Sequence, residues 1–201
     1  CPASHGGDVR HYQRGDELTV EVYIGGEGKK RLIIGTGYCY LSNYKRDNPM
    51  KPPGFCMELR KHLGKIDSIK QKGFDRILEI KSGDYKLVAE MFGKGNLILV
   101  HNGKIARALN EEEWADRTIK IGEEYQSPAP ATDPRETSFE EAVEDGEIVR
   151  ELASNLSLGG VYAEEICSRA GVNKNTEVSE LPQEELEKVK DEFEKLINSA
   201  P

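Results

Sequence analysis

The chain has 201 residues, of which 37% are hydrophobic and 32% are Asp, Glu, Lys or Arg. A chain of this length can bury one large core or two small ones. The longest purely aliphatic run, residues 97–100, is far shorter than the roughly 20 residues that cross a bilayer. Because no apolar leader opens the sequence either, we expect a soluble cytoplasmic protein without membrane contact.

Residues with the spacing of a metal or catalytic site are not found in the sequence. The four cysteines form no C-x-x-C pair, and the four histidines are far apart. Gly93-Lys94-Gly95 resembles a phosphate-binding loop, but such short turns more often close hairpins. The sequence therefore predicts no cofactor, no metal, no small-molecule substrate and no enzymatic activity.

The net charge of −8 is unevenly distributed. Residues 45–76 contain nine Lys or Arg against four acids, whereas residues 110–201 contain nine against 24. A local basic stretch of this kind favours contact with phosphates, although incidental lysines on a solvated helix would give the same count. The candidate contacts to an RNA backbone are Arg60, Lys61, His62, Lys70 and Lys72.

The first 125 residues predict mainly antiparallel strands. Hydrophobic residues alternate with period two between 16 and 24, and Asn102-Gly103 is a strong hairpin signal. Phe55, Leu59 and Leu63 share one face of a predicted helix, 55–63. The remaining predicted strands cover residues 31–35, 38–41, 66–71, 76–81, 85–92, 96–101 and 117–121.

The last third of the sequence predicts helices after a proline-rich linker. Residues 126–135 contain three prolines, and Ser138 opens a capping-box pattern. Gly159-Gly160 separates two predicted helices, and Leu181-Pro182 opens another. We therefore predict an α+β protein with a β-rich domain at 1–126, a linker at 127–137 and a small helical domain at 138–201.

Two local features have a functional interpretation. Asp75-Arg76 stands at the entry of a predicted strand, where the guanidinium could meet a phosphate or base and the carboxylate a ribose or base edge. A local salt bridge is the simpler explanation by spacing alone. Gly159-Gly160 could expose N–H groups to phosphate, or could simply form a tight turn beside Glu164 and Glu165.

Four segments, in order, resemble motifs of the NFACT family of ribosome quality-control factors. Residues 53–63 read PGFCMELRKHL, which is similar to the family's proline, phenylalanine and L-R-K-H-L phrase. Residues 71–77 read QKGFDRI, and residues 90–99 read EMFGKGNLIL. Residues 156–171, including LGGVYAEEICSRAG, resemble the helical-hairpin domain that follows in the family. Because all four occur in order, the resemblance is specific.

The resemblance implies a scaffold that binds the large ribosomal subunit holding a stalled peptidyl-tRNA. NFACT proteins recruit tRNA, with alanine tRNA prominent, for template-free C-terminal tailing of the nascent chain. The family's D-R pair supports tRNA recruitment and corresponds to Asp75 and Arg76, and the same role extends to Glu90, Met91 and Phe92. The ribosome makes the peptide bonds, which agrees with the missing catalytic pattern.

The same resemblance implies a fold like that of the formamidopyrimidine-type DNA glycosylases, followed by a helix-hairpin-helix domain. Those enzymes use an N-terminal proline followed by glutamate, whereas Pro2 here lies between Cys1 and Ala3, which argues against glycosylase activity. Some bacterial family members are called fibronectin- or fibrinogen-binding proteins, so an adhesin is a further alternative, though nothing suggests secretion. The family's N-terminal helix, coiled coil and NFACT-R domain are missing, which implies a fragment.

Overall fold

The computed structural model describes residues 9–24, 26–114, 117–128 and 132–199. The chain forms two compact units, Cys1–Pro128 and Ala129–Pro201. The predicted α+β class with antiparallel sheets and several helices is confirmed. The glycosylase-like fold, the hairpin domain and the domain boundaries stay predictions, and residues 129–131 of the predicted linker lie outside the described part.

The first unit contains three antiparallel sheets. The four-stranded sheet runs in chain order through β1 Arg10–Arg14, β2 Glu17–Ile24, β3 Gly28–Ile34 and β4 Cys39–Ser42. The five-stranded sheet runs through β5 Ser68–Gln71, β6 Ile77–Ser82, β7 Tyr85–Glu90, β8 Asn96–His101 and β9 Lys104–Ala108. A short pair is formed by β10 Glu112–Glu113 and β11 Thr118–Ile119.

Strands β7 and β8 of the five-stranded sheet are buried on both faces for most of their length, which explains the almost unbroken apolar run of β8. One face joins the four-stranded sheet and α1 Gly54–His62 in a core that includes Leu18, Leu59 and Leu99. The other face forms a second core that includes Val88, Ile98 and Ile119. Strand β7 is therefore anchored from both sides, and its last residue is held firmly.

The predicted helix 55–63 is confirmed as α1, and its shared face is buried as expected: Phe55, Leu59 and Leu63 are at most 5% exposed. Three strands escaped prediction: β1, β9 and the two-residue β10. Strand β1 reads RHYQR and buries His11 and Gln13 in place of apolar residues, so it shows no hydrophobic alternation. Strand β9 follows the Asn102-Gly103 turn, but its alternation is too short to mark it as a strand.

The regular elements described in the second unit are all helical, apart from an isolated bridge between Glu147 and Glu177. Its elements are α2 Phe139–Ala142, α3 Ile148–Arg150 continuing as a π-helical turn Glu151–Asn155, α4 Gly159–Ala170, a 3₁₀ turn Val178–Glu180 and α5 Gln183–Ser199.

The capping prediction for the first of these helices is confirmed, since the Ser138 hydroxyl accepts from the Glu141 amide at 3.2 Å. Gly159-Gly160 was expected to lie between two helices. The second of these helices, α4, instead begins at Gly159, so both glycines belong to it. The core of this unit includes Leu152, Ile166 and Phe193. None of the described helices combines the length and apolarity needed to cross a membrane.

Candidate functional site

The turn between β5 and β6 carries Asp75 and Arg76. The Lys72 amide donates to the Ile77 carbonyl at 2.9 Å, and the Asp75 amide donates to the Lys72 carbonyl at 3.0 Å. The Gln71 side-chain amide adds a third bond, to the Asp75 carbonyl at 3.0 Å. These bonds close the turn on itself, so Asp75 and Arg76 are presented on a fixed backbone at the start of β6.

The structure brings the two sequence-predicted segments together. The Met91 amide donates to the Arg76 carbonyl at 2.8 Å, and the neighbouring residues Ile77 and Glu90 are paired across β6 and β7. Arg76 is exposed, whereas Asp75, Met91 and Phe92 are half-buried. Four of the five residues predicted for tRNA binding therefore surround one end of the β6–β7 ladder with accessible side chains.

Glu90, the fifth predicted residue, is only 3% exposed. The Arg117 guanidinium donates two hydrogen bonds to its carboxylate, from Nη1 to Oε2 at 3.1 Å and from Nη2 to Oε1. The Tyr125 hydroxyl donates to the same Oε1 at 2.8 Å. Burial, together with this carboxylate, raises the pKa of Tyr125, which keeps its hydroxyl a donor. A buried carboxylate needs such partners, so Glu90 supports the site from within.

Cations and aromatic rings alternate behind Glu90. The Lys86 ammonium lies 5.9 Å from the centre of the Tyr125 ring. The Arg117 guanidinium lies 5.5 Å from the centre of the same ring and 5.8 Å from the centre of the Trp114 ring. Such contacts stabilise partly buried cations. Arg117 and Tyr125 were not predicted as site residues, because they lie 27 and 35 positions from Glu90 and no local pattern links them.

The Gly93-Lys94-Gly95 segment is a hairpin turn between β7 and β8, as the simpler interpretation predicted. The Gly95 amide donates to the Phe92 carbonyl at 2.8 Å. At φ +69°, a Cβ on Gly95 would lie 2.2 Å from the Thr36 carbonyl oxygen. Glycine is therefore required here both by its backbone conformation and by the close approach of Thr36.

Two of the predicted RNA-backbone contacts on α1 have partners inside the protein. Arg60 donates from Nε to the His11 carbonyl at 2.8 Å, and its guanidinium lies 5.5 Å from the Tyr12 ring centre. The His62 ring stacks on Tyr85 with 4.1 Å between centroids. Arg60 and Lys61 are both exposed, but of the two only Arg60 has internal hydrogen-bond and ring contacts among the described residues.

The remaining two predicted contacts lie along β5 and the turn that follows it. Lys70 is exposed on this edge strand. Lys72 is half-buried and donates a hydrogen bond to the Ser127 hydroxyl. Lys61 and Lys70 are thus the predicted backbone contacts whose ammonium groups face solvent.

The chemistry offered by this site is that of binding. Arg76 supplies a guanidinium with several donors, Asp75 a carboxylate and Met91 a polarisable thioether. Across the described residues, no group of three or more His, Cys, Asp or Glu side chains is placed to hold a metal ion.

Solved structures with similar folds come from two streptococcal proteins. The N-terminal part of the fibronectin/fibrinogen-binding protein of Streptococcus suis matches with a TM-score of 0.68 and 23% identity, covering 96% of this chain and 79% of that one. The N-terminal domain of the fibronectin-binding protein PavA of Streptococcus pneumoniae gives 0.61 and 21%, covering 98% and 74%. At these identities the likeness shows the fold alone.

Sequence relatives include Rqc2 homologs and the ribosome quality control complex subunit 2 of Saccharomyces cerevisiae, which is 32% identical and covers 50% of this chain and 10% of the relative. The archaeal Rqc2 homolog aRqcH of Methanocaldococcus jannaschii is 36% identical over 208 aligned positions, covering 91% of this chain and 31% of the relative. The Rqc2 homolog RqcH of Bacillus subtilis is 29% identical, covering 85% and 35%. The chain thus spans about a third of the length of these two homologs. A family model for the NFACT N-terminal and middle domains matches residues 11–201. This chain belongs to the NFACT family.

Proposed function

We propose that this chain is the tRNA-recruiting part of a ribosome quality-control scaffold and acts without catalysing a reaction. The observation that carries the proposal is the bond between the Met91 amide and the Arg76 carbonyl. It joins the two segments that family resemblance associates with tRNA, although 15 positions separate them along the chain. One RNA element can therefore contact both segments at once.

Arg76 supplies the strongest interaction in this proposal. An exposed guanidinium forms charge-assisted hydrogen bonds, and it binds phosphate or a guanine edge with two parallel donors. Asp75 repels phosphate, so its carboxylate accepts instead from a ribose hydroxyl, a base amine or a cation. The closed turn holds both residues on stiff backbone, which reduces the conformational entropy lost on binding.

The partners follow from the relatives. Because the relatives are named as Rqc2 homologs, we propose that the chain binds a large ribosomal subunit that holds a stalled peptidyl-tRNA. The RNA recruited to it is a tRNA, with alanine tRNA favoured by the family resemblance, and the outcome is template-free C-terminal tailing in the cytoplasm. The exposed Lys61 and Lys70 add contacts to the RNA backbone.

The test is the double substitution Asp75→Ala with Arg76→Ala, made in the full-length protein. We expect tRNA recovery with co-sedimented large subunits to fall at least about tenfold, as the loss of a well-formed guanidinium contact predicts. The melting temperature should stay unchanged. Asp84→Ala with Arg107→Ala removes an exposed acid and an exposed guanidinium from the same sheet and serves as the control.

A clearly lower melting temperature in the Asp75/Arg76 variant, with ribosome binding lost alongside tRNA, would show a structural pair and contradict the proposal. Normal tRNA recovery from a stable variant would contradict it as well. Glu90→Gln provides a contrast, because it removes a buried charge that holds Arg117. We expect that variant to lose stability and tRNA recovery together.

A further inference from the structure

A pair of tyrosine rings projects from the edge of the four-stranded sheet, away from the Asp75–Arg76 turn in sequence. Tyr38 and Tyr40 are 48% and 41% exposed, and their ring centres are 5.9 Å apart. Tyr40 lies on β4, which pairs only with β3 and so ends the sheet. We refer to Tyr38 and Tyr40 as the tyrosine pair.

Hydrogen bonds hold both rings in place despite their exposure. The Tyr38 hydroxyl donates to Glu17 Oε2 at 2.8 Å. Arg46 donates from Nη1 to both Glu17 oxygens, at 2.6 and 2.8 Å, and from Nη2 to the Tyr40 hydroxyl. The hydrogen bond to Glu17 raises the pKa of Tyr38, so the phenol remains a donor. Glu17 and Arg46 therefore bridge the two phenols.

The backbone beneath Tyr38 is shaped for its ring. A Cβ on Gly35 would lie 2.4 Å from Tyr38 Cζ and 2.7 Å from both Cε atoms. The Gly35 amide also donates to the Tyr38 carbonyl at 2.8 Å. Since any side chain at position 35 would displace the ring, the close approach of Gly35 fixes the position of an aromatic group that is nevertheless half exposed.

The cations associated with the tyrosine pair are two arginines in contact with Glu17 and two lysines close to it in the sequence. Arg14 reaches Glu17 at 3.9 Å, so two guanidinium groups share this one carboxylate. Lys45 and Lys51 follow close by in the sequence, with Asp47 as the only acid from Lys45 to Lys51. This charge favours a polyanion over a basic polypeptide.

We propose that the tyrosine pair is a stacking platform for unpaired bases of single-stranded RNA. Bases stack on aromatic rings irrespective of sequence, while neighbouring cations follow the phosphates. Rings already fixed by Glu17, Arg46 and Gly35 lose little conformational freedom on binding. The platform does not depend on the Asp75–Arg76 turn, and it provides a second point at which this chain meets RNA.

The test measures binding of the 201-residue chain to a single-stranded oligouridylate and to a duplex of the same length. Tyr38→Ala with Tyr40→Ala should weaken binding to the single strand at least about tenfold and leave the duplex unchanged. Tyr38→Phe with Tyr40→Phe keeps the rings and should bind within about twofold of the parent chain. Tyr23→Ala, at a tyrosine 54% exposed on the same sheet, is the matched control.

Parent-like binding by the alanine variant would overturn the proposal, as would an equal loss for single strand and duplex. If the alanine variant retains oligouridylate binding but no longer co-sediments with ribosomes, the tyrosine pair contacts a protein partner, and this result would also overturn the proposal. If the alanine variant has a lower melting temperature, an NMR titration of the parent chain with oligouridylate provides the test. The ring protons of the tyrosine pair should shift upfield, and unshifted ring protons would refute stacking. The loss caused by Tyr38→Ala with Tyr40→Ala should be equally large when Asp75→Ala and Arg76→Ala are also present, which separates this result from the tRNA test.

Discussion

His11 is a buried imidazole whose ionisation is costly. It is 1% exposed, its Nδ1 has no hydrogen-bond partner among the described residues, and burial together with Arg60 lowers its pKa from 6.5 to about 4. Between those two values the unfolded chain binds a proton that the folded chain excludes. Stability contributed by neutral His11 is therefore complete above about pH 6.5 and is lost as the pH falls towards 4.

We expect urea unfolding to show this loss as up to about 3 kcal/mol between pH 6.5 and 4. His11→Gln removes the titrating group and keeps a polar side chain of similar length. Other titrating groups affect both proteins equally, so the informative quantity is the difference in the free energy of unfolding between parent and variant. Parallel pH profiles for the two would contradict the assignment.

The residues of the site differ in how far sequence could identify them. Asp75 and Arg76 are adjacent, so one sequence motif contains both. Their position on a turn follows from the nearby Gly73, whose positive φ suits a turn. Arg117 and Tyr125 reach Glu90 only after β7 and the later hairpin have packed on the same core. Pairing across tertiary structure leaves no periodic signal in the chain, which is why these two were not predicted.

At the level of elements, α1 shows how a basic stretch divides between structure and solvent. Both Arg60 and Lys61 are exposed, but Arg60 also bonds to the β1 backbone and lies against Tyr12. A phosphate contact made by Lys61 releases counterions, so Lys61→Ala should reduce the slope of log affinity against log salt by roughly 0.7 to 0.9.

Arg60→Ala should instead lower the melting temperature and leave that slope nearly unchanged, because its guanidinium ties α1 to β1. Fluorescence titrations of labelled tRNA at several salt concentrations measure both slopes. An unchanged slope in Lys61→Ala would mean that this lysine is simply solvated. A flattened slope in stable Arg60→Ala would show that the arginine contacts RNA despite its internal bonds.

Strands with alternating apolar residues were predictable, and those that bury polar groups were not. Residues Leu18, Val20 and Val22 alternate along β2, whose position follows from period two. The adjacent β1 instead places His11 and Gln13 opposite Val20 and Leu18. Strand β1 forms because it pairs with β2, and its side chains are buried because the core lies against them. Neither cause leaves a pattern in its own five residues.

The charge of the whole molecule follows its division into two units. Residues 1–128 contain 21 Lys or Arg against 18 Asp or Glu, whereas residues 129–201 contain seven against 18. The candidate RNA contacts all belong to the first unit. Because phosphate attraction dominates the affinity for nucleic acids, the net charge of the intact chain conceals a basic unit, the one proposed to bind RNA, attached to an acidic one.

We therefore expect limited proteolysis to release two products with opposite behaviour on immobilised tRNA. A protease of broad specificity should cut first within residues 126–135, where three prolines interrupt regular structure and the boundary between units falls. The first-unit product should elute at higher salt than the intact chain, since the acidic unit no longer repels phosphate, and the second-unit product should pass through at low salt. Mass spectrometry of the fractions identifies each product. First cleavage inside residues 55–100, or retention of the acidic unit on tRNA, would contradict this division of labour.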